Sequence, residues 1–82
     1  MNIVSIMTGY AEACQEILFD EHNVTKEQLL NALNDENGLK SYPEIYECVV
    51  DNYNCFIEDN PEAQGDLNIR DFCWRLRDFC RA

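Results

Sequence analysis

The sequence predicts an all-α domain of four helices joined by short connections. Three observations predict it. Apolar residues recur at alternating spacings of three and four along four separate segments, which is the signature of one buried face per helix. Residues that cap or stop helices bracket those segments. Apolar-polar alternation of the strand type appears nowhere in the chain.

The first helix is expected from Ile3 to about Phe19, where Ile3, Met7, Tyr10, Cys14 and Ile17 form one stripe that Ile6 and Leu18 thicken. Gly9 weakens it locally by about 1 kcal/mol relative to Ala, a cost that a packed face absorbs. Asp20 to Val24 forms the turn. Thr25 and Gln28 then have the spacing of a capping box, with Val24 and Leu29 as its hydrophobic staple. The second helix is expected from Lys26 to about Glu36, burying Leu29, Leu30 and Leu33. Its stop is placed at Asn37-Gly38, where glycine accepts the left-handed backbone and Leu39 folds back on Leu33.

Ser41 and Glu44 have capping-box spacing as well, but Pro43 pushes Tyr42 out of helical space and makes Tyr42 a rival cap. The third helix begins near Pro43 and runs through Tyr46, Val49, Val50, Tyr53, Phe56 and Ile57 to Asp59, where Asn60-Pro61 ends it. The stretch NPEAQG reads as a loop or a one-turn element that Gly65 stops. Asn68 with Asp71 starts the fourth helix, whose apolar face is Ile69, Phe72, Cys73, Leu76, Phe79 and Cys80. The tetrapeptide RDFC recurs there after seven residues, nearly two turns. The repeat therefore stacks Phe72 with Phe79 and Cys73 with Cys80 toward the core.

At 82 residues, 46% of them hydrophobic, residues 1–82 make a single helical domain near the lower size limit for folding on one apolar core. No apolar run reaches the roughly 18 residues of a membrane span, and no basic segment precedes an apolar one at the amino terminus. A cytoplasmic location without membrane contact is the expectation.

The net charge of −10 argues against direct nucleic-acid binding, because displacing phosphate counterions needs cations. Its distribution is uneven. Residues 1–67 hold fourteen acids and two bases, net −12, whereas residues 68–82 hold two acids and four Arg, net +2.

Little in the chain points to catalysis, cofactors or metals. His22 stands alone after Asp20 and Glu21, with no nucleophile placed beside it, and glycine-rich phosphate loops are absent. Close Cys or His pairs with zinc-ligand spacing are missing. Cys48 and Cys55 share a Cys-x6-Cys spacing with Cys73 and Cys80, so antiparallel helices would set Cys48 opposite Cys80 and Cys55 opposite Cys73, an arrangement similar to twin-cysteine hairpins. That family uses other spacings and Cys14 is left over, so free thiols in a reduced compartment are expected. The function expected is non-enzymatic, without metal or cofactor.

What stands out is the anionic patterning. Glu12, Glu16 and Asp20 follow one another at four-residue steps, about 6 Å apart along a helix axis, and Glu44, Glu47, Asp51 and Glu58 form a similar line. Like charges at these spacings cost a few tenths of a kcal/mol each, so helix stability does not select them. Duplex DNA shows a charge every 1.7 Å or so, and a pair of adjacent ridges approaches that density better than one. In size and composition the chain resembles small acidic inhibitors, including phage anti-restriction and anti-CRISPR proteins and bacteriocin immunity proteins, several of which mimic DNA. The resemblance implies a protein partner with a basic, nucleic-acid-binding surface. From the residues themselves, Glu12, Glu16, Asp20, Glu44, Glu47 and Asp51 are the candidate contacts, with Tyr42 and Tyr46 as anchors at their edge.

A second candidate surface lies on the fourth helix. With Leu76 at the centre of the buried face, Trp74 falls on the opposite side, flanked by Arg70, Arg77 and Arg81. Arg and Trp dominate binding hot spots, so the alternative function is a helical adaptor or homodimerisation module working through these four residues.

Overall fold

In a computed structural model, which describes residues 2–34 and 36–81 and, for 36–38, the backbone only, every regular element is helical. Asn2 caps α1 (Ile3–Asp20), its side-chain oxygen accepting from the Val4 amide at 2.9 Å. Asn23, in left-handed backbone at φ 55°, turns the chain toward α2 (Lys26–Leu33). The capping box there is complete: Gln28 donates its amide to Thr25 Oγ1 at 3.1 Å, and Thr25 donates its own amide to Gln28 Oε1 at 2.9 Å. Val24 and Leu29 both belong to the apolar cluster, as a staple requires.

The second predicted helix ends short of the expected Glu36, although it contains the whole apolar pattern, and is followed by a helix that the pattern does not reveal. α2 ends at Leu33, and α3 (Glu36–Ser41) follows, so the expected stop at Asn37-Gly38 falls inside a helix. Asp35 and the side chains of residues 36–38 lie outside the described residues. Leu39 is buried, with Leu33 packed against the same cluster.

α4 (Pro43–Asp59) has the predicted bounds. Tyr42 rather than Ser41 takes its N-cap position, with no side-chain cap hydrogen bond, because the residue before a proline is kept out of helical backbone. A single 3-10 turn, Pro61–Ala63, follows, and Gly65 at φ +101° reverses the chain. α5 (Ile69–Arg81) opens on a reciprocal cap: Asn68 donates its amide to the Asp71 carboxylate at 2.9 Å, and Asp71 donates back to Asn68 Oδ1 at 3.0 Å.

The core joins Met7, Ala11, Cys14 and Leu18 of α1 to Leu29 and Ala32 of α2, Ile45, Val49 and Phe56 of α4, and Phe72, Leu76 and Cys80 of α5. Aromatic rings tie its centre together. Tyr10 tilts against Phe56 at 5.5 Å, and Tyr53 meets Phe72 edge-on at 6.0 Å while donating its hydroxyl to the Leu67 carbonyl at 2.8 Å. That last bond pins the 64–68 connection to α4. Removing a ring such as that of Phe56, which is fully buried, costs about 3–5 kcal/mol in comparable cores.

The RDFC stripe packs only in part as expected. Phe72 and Cys80 are buried, but Cys73 and Phe79 are half-buried, because the stripe is wider than the strip of α5 that its neighbours cover. α5 packs chiefly along α1 and touches α4 over a shorter stretch. The side of α5 carrying Cys73 is left open.

Candidate functional site

The contacts between α1 and α4 run in opposite directions along the two helices. Tyr10 lies against Phe56 and donates its hydroxyl to Asp59, whereas Cys14, farther along α1, meets Cys48, an earlier residue of α4, at 3.8 Å between sulfurs. The twin-cysteine geometry, set aside from the sequence in favour of free thiols, is not what these contacts show. Cys48 faces Cys14 and not Cys80, because α1 and not α5 covers it, whereas Cys55 is exposed; all five thiols are free.

These contacts locate the acidic ridges. With roughly 100° between successive residues, Glu16 and Asp20 lie beyond Tyr10 and Ile17 from the core side of α1, and Glu44 and Asp51 lie beyond Cys48 from the core side of α4. Asp20 of the first ridge and Glu44 and Asp51 of the second thus border the outer side of the same helix pair, whereas Glu12 lies nearly opposite Tyr10 and Cys14 on α1 and faces away from α4. Glu12, Glu16, Asp20, Glu44, Glu47 and Asp51 are all exposed. Carboxylates from both helices reach one group: Asp51 and Glu21, just past the end of α1, each push the Cys48 thiol upward. The hydrogen bond from the Cys14 S–H outweighs them and, with the Asn52 amide 3.5 Å from the sulfur, draws Cys48 below the ordinary thiol value; Cys14 itself is pushed far up.

Tyr42 and Tyr46, expected at the edge of the ridges, are 38% and 42% exposed. Tyr46 borders two recesses. One holds Lys40, Glu47 and Asp51 of the acidic side, and the other opens toward α5.

That second recess is a groove of about 750 Å³ between α5 and the α2–α3 corner. Arg70, Trp74 and Arg77 form its α5 wall, facing Leu33, Leu39 and Lys40. Trp74 is 53% exposed, and the Arg77 guanidinium lies over its ring at 4.8 Å from the centroid. Arg81 separates from this group and lines a neighbouring recess with Lys26 and Glu27, because one more turn carries it past the end of the groove.

Lys40, Leu39 and Leu33 line the same groove as Trp74, which the sequence alone does not show. The available signal was Lys40 itself, the only cation between Lys26 and Arg70, but its position depends on α3, which the pattern did not reveal. Among the described residues, no three of His, Cys, Asp and Glu gather as metal ligands, His22 is exposed, and no helix is long and apolar enough to cross a membrane. Comparisons with protein-family models, curated proteins and solved structures find no match.

Proposed function

We propose that the chain is a non-enzymatic, acidic protein-binding inhibitor that occupies the basic, nucleic-acid-binding surface of a partner protein, as a phage anti-restriction or anti-CRISPR inhibitor does. The observation that supports the reading is that all six ridge carboxylates are exposed, with Asp20, Glu44 and Asp51 bordering the outer side of the α1–α4 pair. Two lines of charge approximate the paired phosphate rows of a duplex more closely than one line does, and along the sequence the ridges hold no interspersed Lys or Arg, with Lys40 beside Glu47 and Asp51 at the margin of the second. Fixed anions on rigid helices meet a cationic cleft with little ordering cost, and their field speeds encounter. Tyr42 and Tyr46 supply apolar contact at the margin.

The test is competition. A partner captured from cells should release the protein when duplex DNA is added and as salt rises from low to moderate concentration. The six-amide variant, carrying Glu12→Gln, Glu16→Gln, Asp20→Asn, Glu44→Gln, Glu47→Gln and Asp51→Asn, should keep its helicity and lose the partner. Retained, salt-insensitive binding by that variant removes the proposal.

A further inference from the structure

The seam between α1 and α4 brings two of the chain's five cysteines into contact. The sulfurs of Cys14 and Cys48 stand 3.8 Å apart, so a bond of about 2.0 Å needs an approach of about 1.8 Å, shared between two side chains. Their surroundings differ in a way that orders their chemistry. Cys48 keeps 8% of its surface exposed, whereas Cys14 is fully enclosed. The Cys14 contact draws the Cys48 thiol down against burial and the Asp51 and Glu21 fields, and the Asn52 amide, 3.5 Å from the sulfur, acts in the same direction. Asn52 is itself held in place, because the same amide nitrogen donates to the Cys48 carbonyl at 2.8 Å. Cys14 is pushed far up by the shared bond and by burial. The reachable sulfur is thus the one that gains thiolate character, which is what attack on an oxidant requires. Packing asks only that both sulfurs fill space, and a solvent-facing edge with a fixed donor at one of them goes beyond that.

We propose that Cys14 and Cys48 form a reversible oxidation site, at which a hydroperoxide converts the sulfur contact into a disulfide that ties α1 to α4. In the first step the Cys48 thiolate takes the terminal hydroxyl of the hydroperoxide. An S–O bond forms, the O–O bond breaks, and the departing alkoxide or hydroxide takes up a proton from water, leaving Cys48 as a sulfenic acid. In the second step the Cys14 sulfur displaces hydroxide from the Cys48 sulfur. The S–S bond forms, the S–O bond breaks, and the Cys14 proton leaves with the hydroxide as water. Two thiols thus lose two electrons and one hydroperoxide gains them, and added thiol restores the pair by exchange. Placement supplies the selectivity. Cys73, on α5, is near enough for its charge to reach Cys14 and is the rival partner, but burial pushes its thiol up to about 11 and it is Cys48 whose sulfur is in contact. The bond joins residues 34 positions apart and fastens the two helices whose outer side Asp20, Glu44 and Asp51 border. It needs no partner protein, so it stands or falls independently of the inhibitor reading.

The test treats the whole reduced chain with hydrogen peroxide under native conditions, blocks the remaining thiols with N-ethylmaleimide, and maps disulfides by peptide mass spectrometry without reduction. A Cys14–Cys48 bond should exceed every other pairing by at least ~10-fold, because contact raises the effective concentration of one thiol at the other. In the urea-unfolded chain that preference should vanish. Dithiothreitol should return both thiols. The oxidised domain should melt higher by on the order of 10 °C, since closing a loop of this length constrains the unfolded chain. Cys14→Ala should leave Cys48 carrying added oxygen instead of a disulfide, read by mass, and Cys48→Ala should keep Cys14 reduced. If either variant loses helicity, the mapping on the parent chain decides alone. Cys14 and Cys48 both still reduced once the exposed Cys55 has been oxidised, a predominant Cys14–Cys73 bond, an equal yield of the Cys14–Cys48 bond in urea, or an oxidised form that melts below the reduced one would each overturn the proposal.

Discussion

The sulfurs of Cys14 and Cys48 lie 3.8 Å apart across the α1–α4 seam, a contact that draws the Cys48 thiol down and pushes the Cys14 thiol up. The cause is directional. Either sulfur can donate, but with Cys14 as the donor the bond favours the Cys48 thiolate, and the same bond together with burial keeps Cys14 protonated. Replacing Cys14 with Ala removes the donor but leaves the opposing fields of Asp51 and Glu21. The pH midpoint for alkylation of Cys48, followed by peptide mass spectrometry, should therefore move upward. A midpoint that stays put or falls shows that the sulfur contact does not set the acidity of Cys48.

Gly9 offers a stabilising substitution that touches nothing. It lies within α1 on the exposed side, and a methyl group there meets no atom within 4 Å. Gly9→Ala should stabilise the domain by about 1 kcal/mol through helix propensity, raising the melting temperature by about 4–8 °C for a domain of this size. No gain in thermal unfolding would mean that this turn is already frayed. Gly65 is the contrasting case, because φ +101° strains any side chain, and Gly65→Ala should lower the melting temperature.

Alkaline pH should destabilise the fold. Burial pushes the Cys73 thiol from the ordinary value near 9 up to about 11, while Tyr10 is raised by donating to Asp59 and Tyr53 by burial and the Asp71 field. In each case the folded state holds its proton more tightly than the unfolded state. The associated stability is complete below the unfolded pKa and is lost as pH rises through the folded one, for Cys73 between about 9 and about 11. Urea midpoints should fall across that window, and Cys73→Ala should flatten part of the slope. Parallel curves for the two proteins would exclude Cys73 as a contributor.

The fold was legible where local chemistry decides it. The Thr25–Gln28 and Asn68–Asp71 caps and the Pro43 to Asp59 span need only neighbouring residues, and the structure places them as the sequence predicts. α3 was not legible, because a six-residue helix has too few turns to show a period, and its glycine resembled a stop signal. The same limit hid the groove. Trp74 and its arginines could be assigned to an outer face from helical angles alone, but the facing wall of Leu39 and Lys40 depends on how α3 folds back. Likewise, two Cys-x6-Cys motifs invited pairing of α4 with α5, whereas Cys48 lies against α1, a choice made by helix order and not by spacing.

The acidic ridges should be a measurable burden on the fold that carries them. Glu12–Glu16, Glu16–Asp20, Glu44–Glu47 and Glu47–Asp51 are like-charge neighbours three or four residues apart on exposed helix faces. Each such pair destabilises by roughly 0.2–0.5 kcal/mol, so the four together oppose folding by on the order of 1–2 kcal/mol at low salt. The six-amide variant should therefore be more stable than the parent by about that amount in urea unfolding, and the gap should narrow as salt screens the parent's repulsion. This is the behaviour of charges retained for binding at some cost to stability. If the amide variant is no more stable at low salt, the ridge carboxylates are already relieved by local partners, and their stability cost no longer argues that binding maintains them.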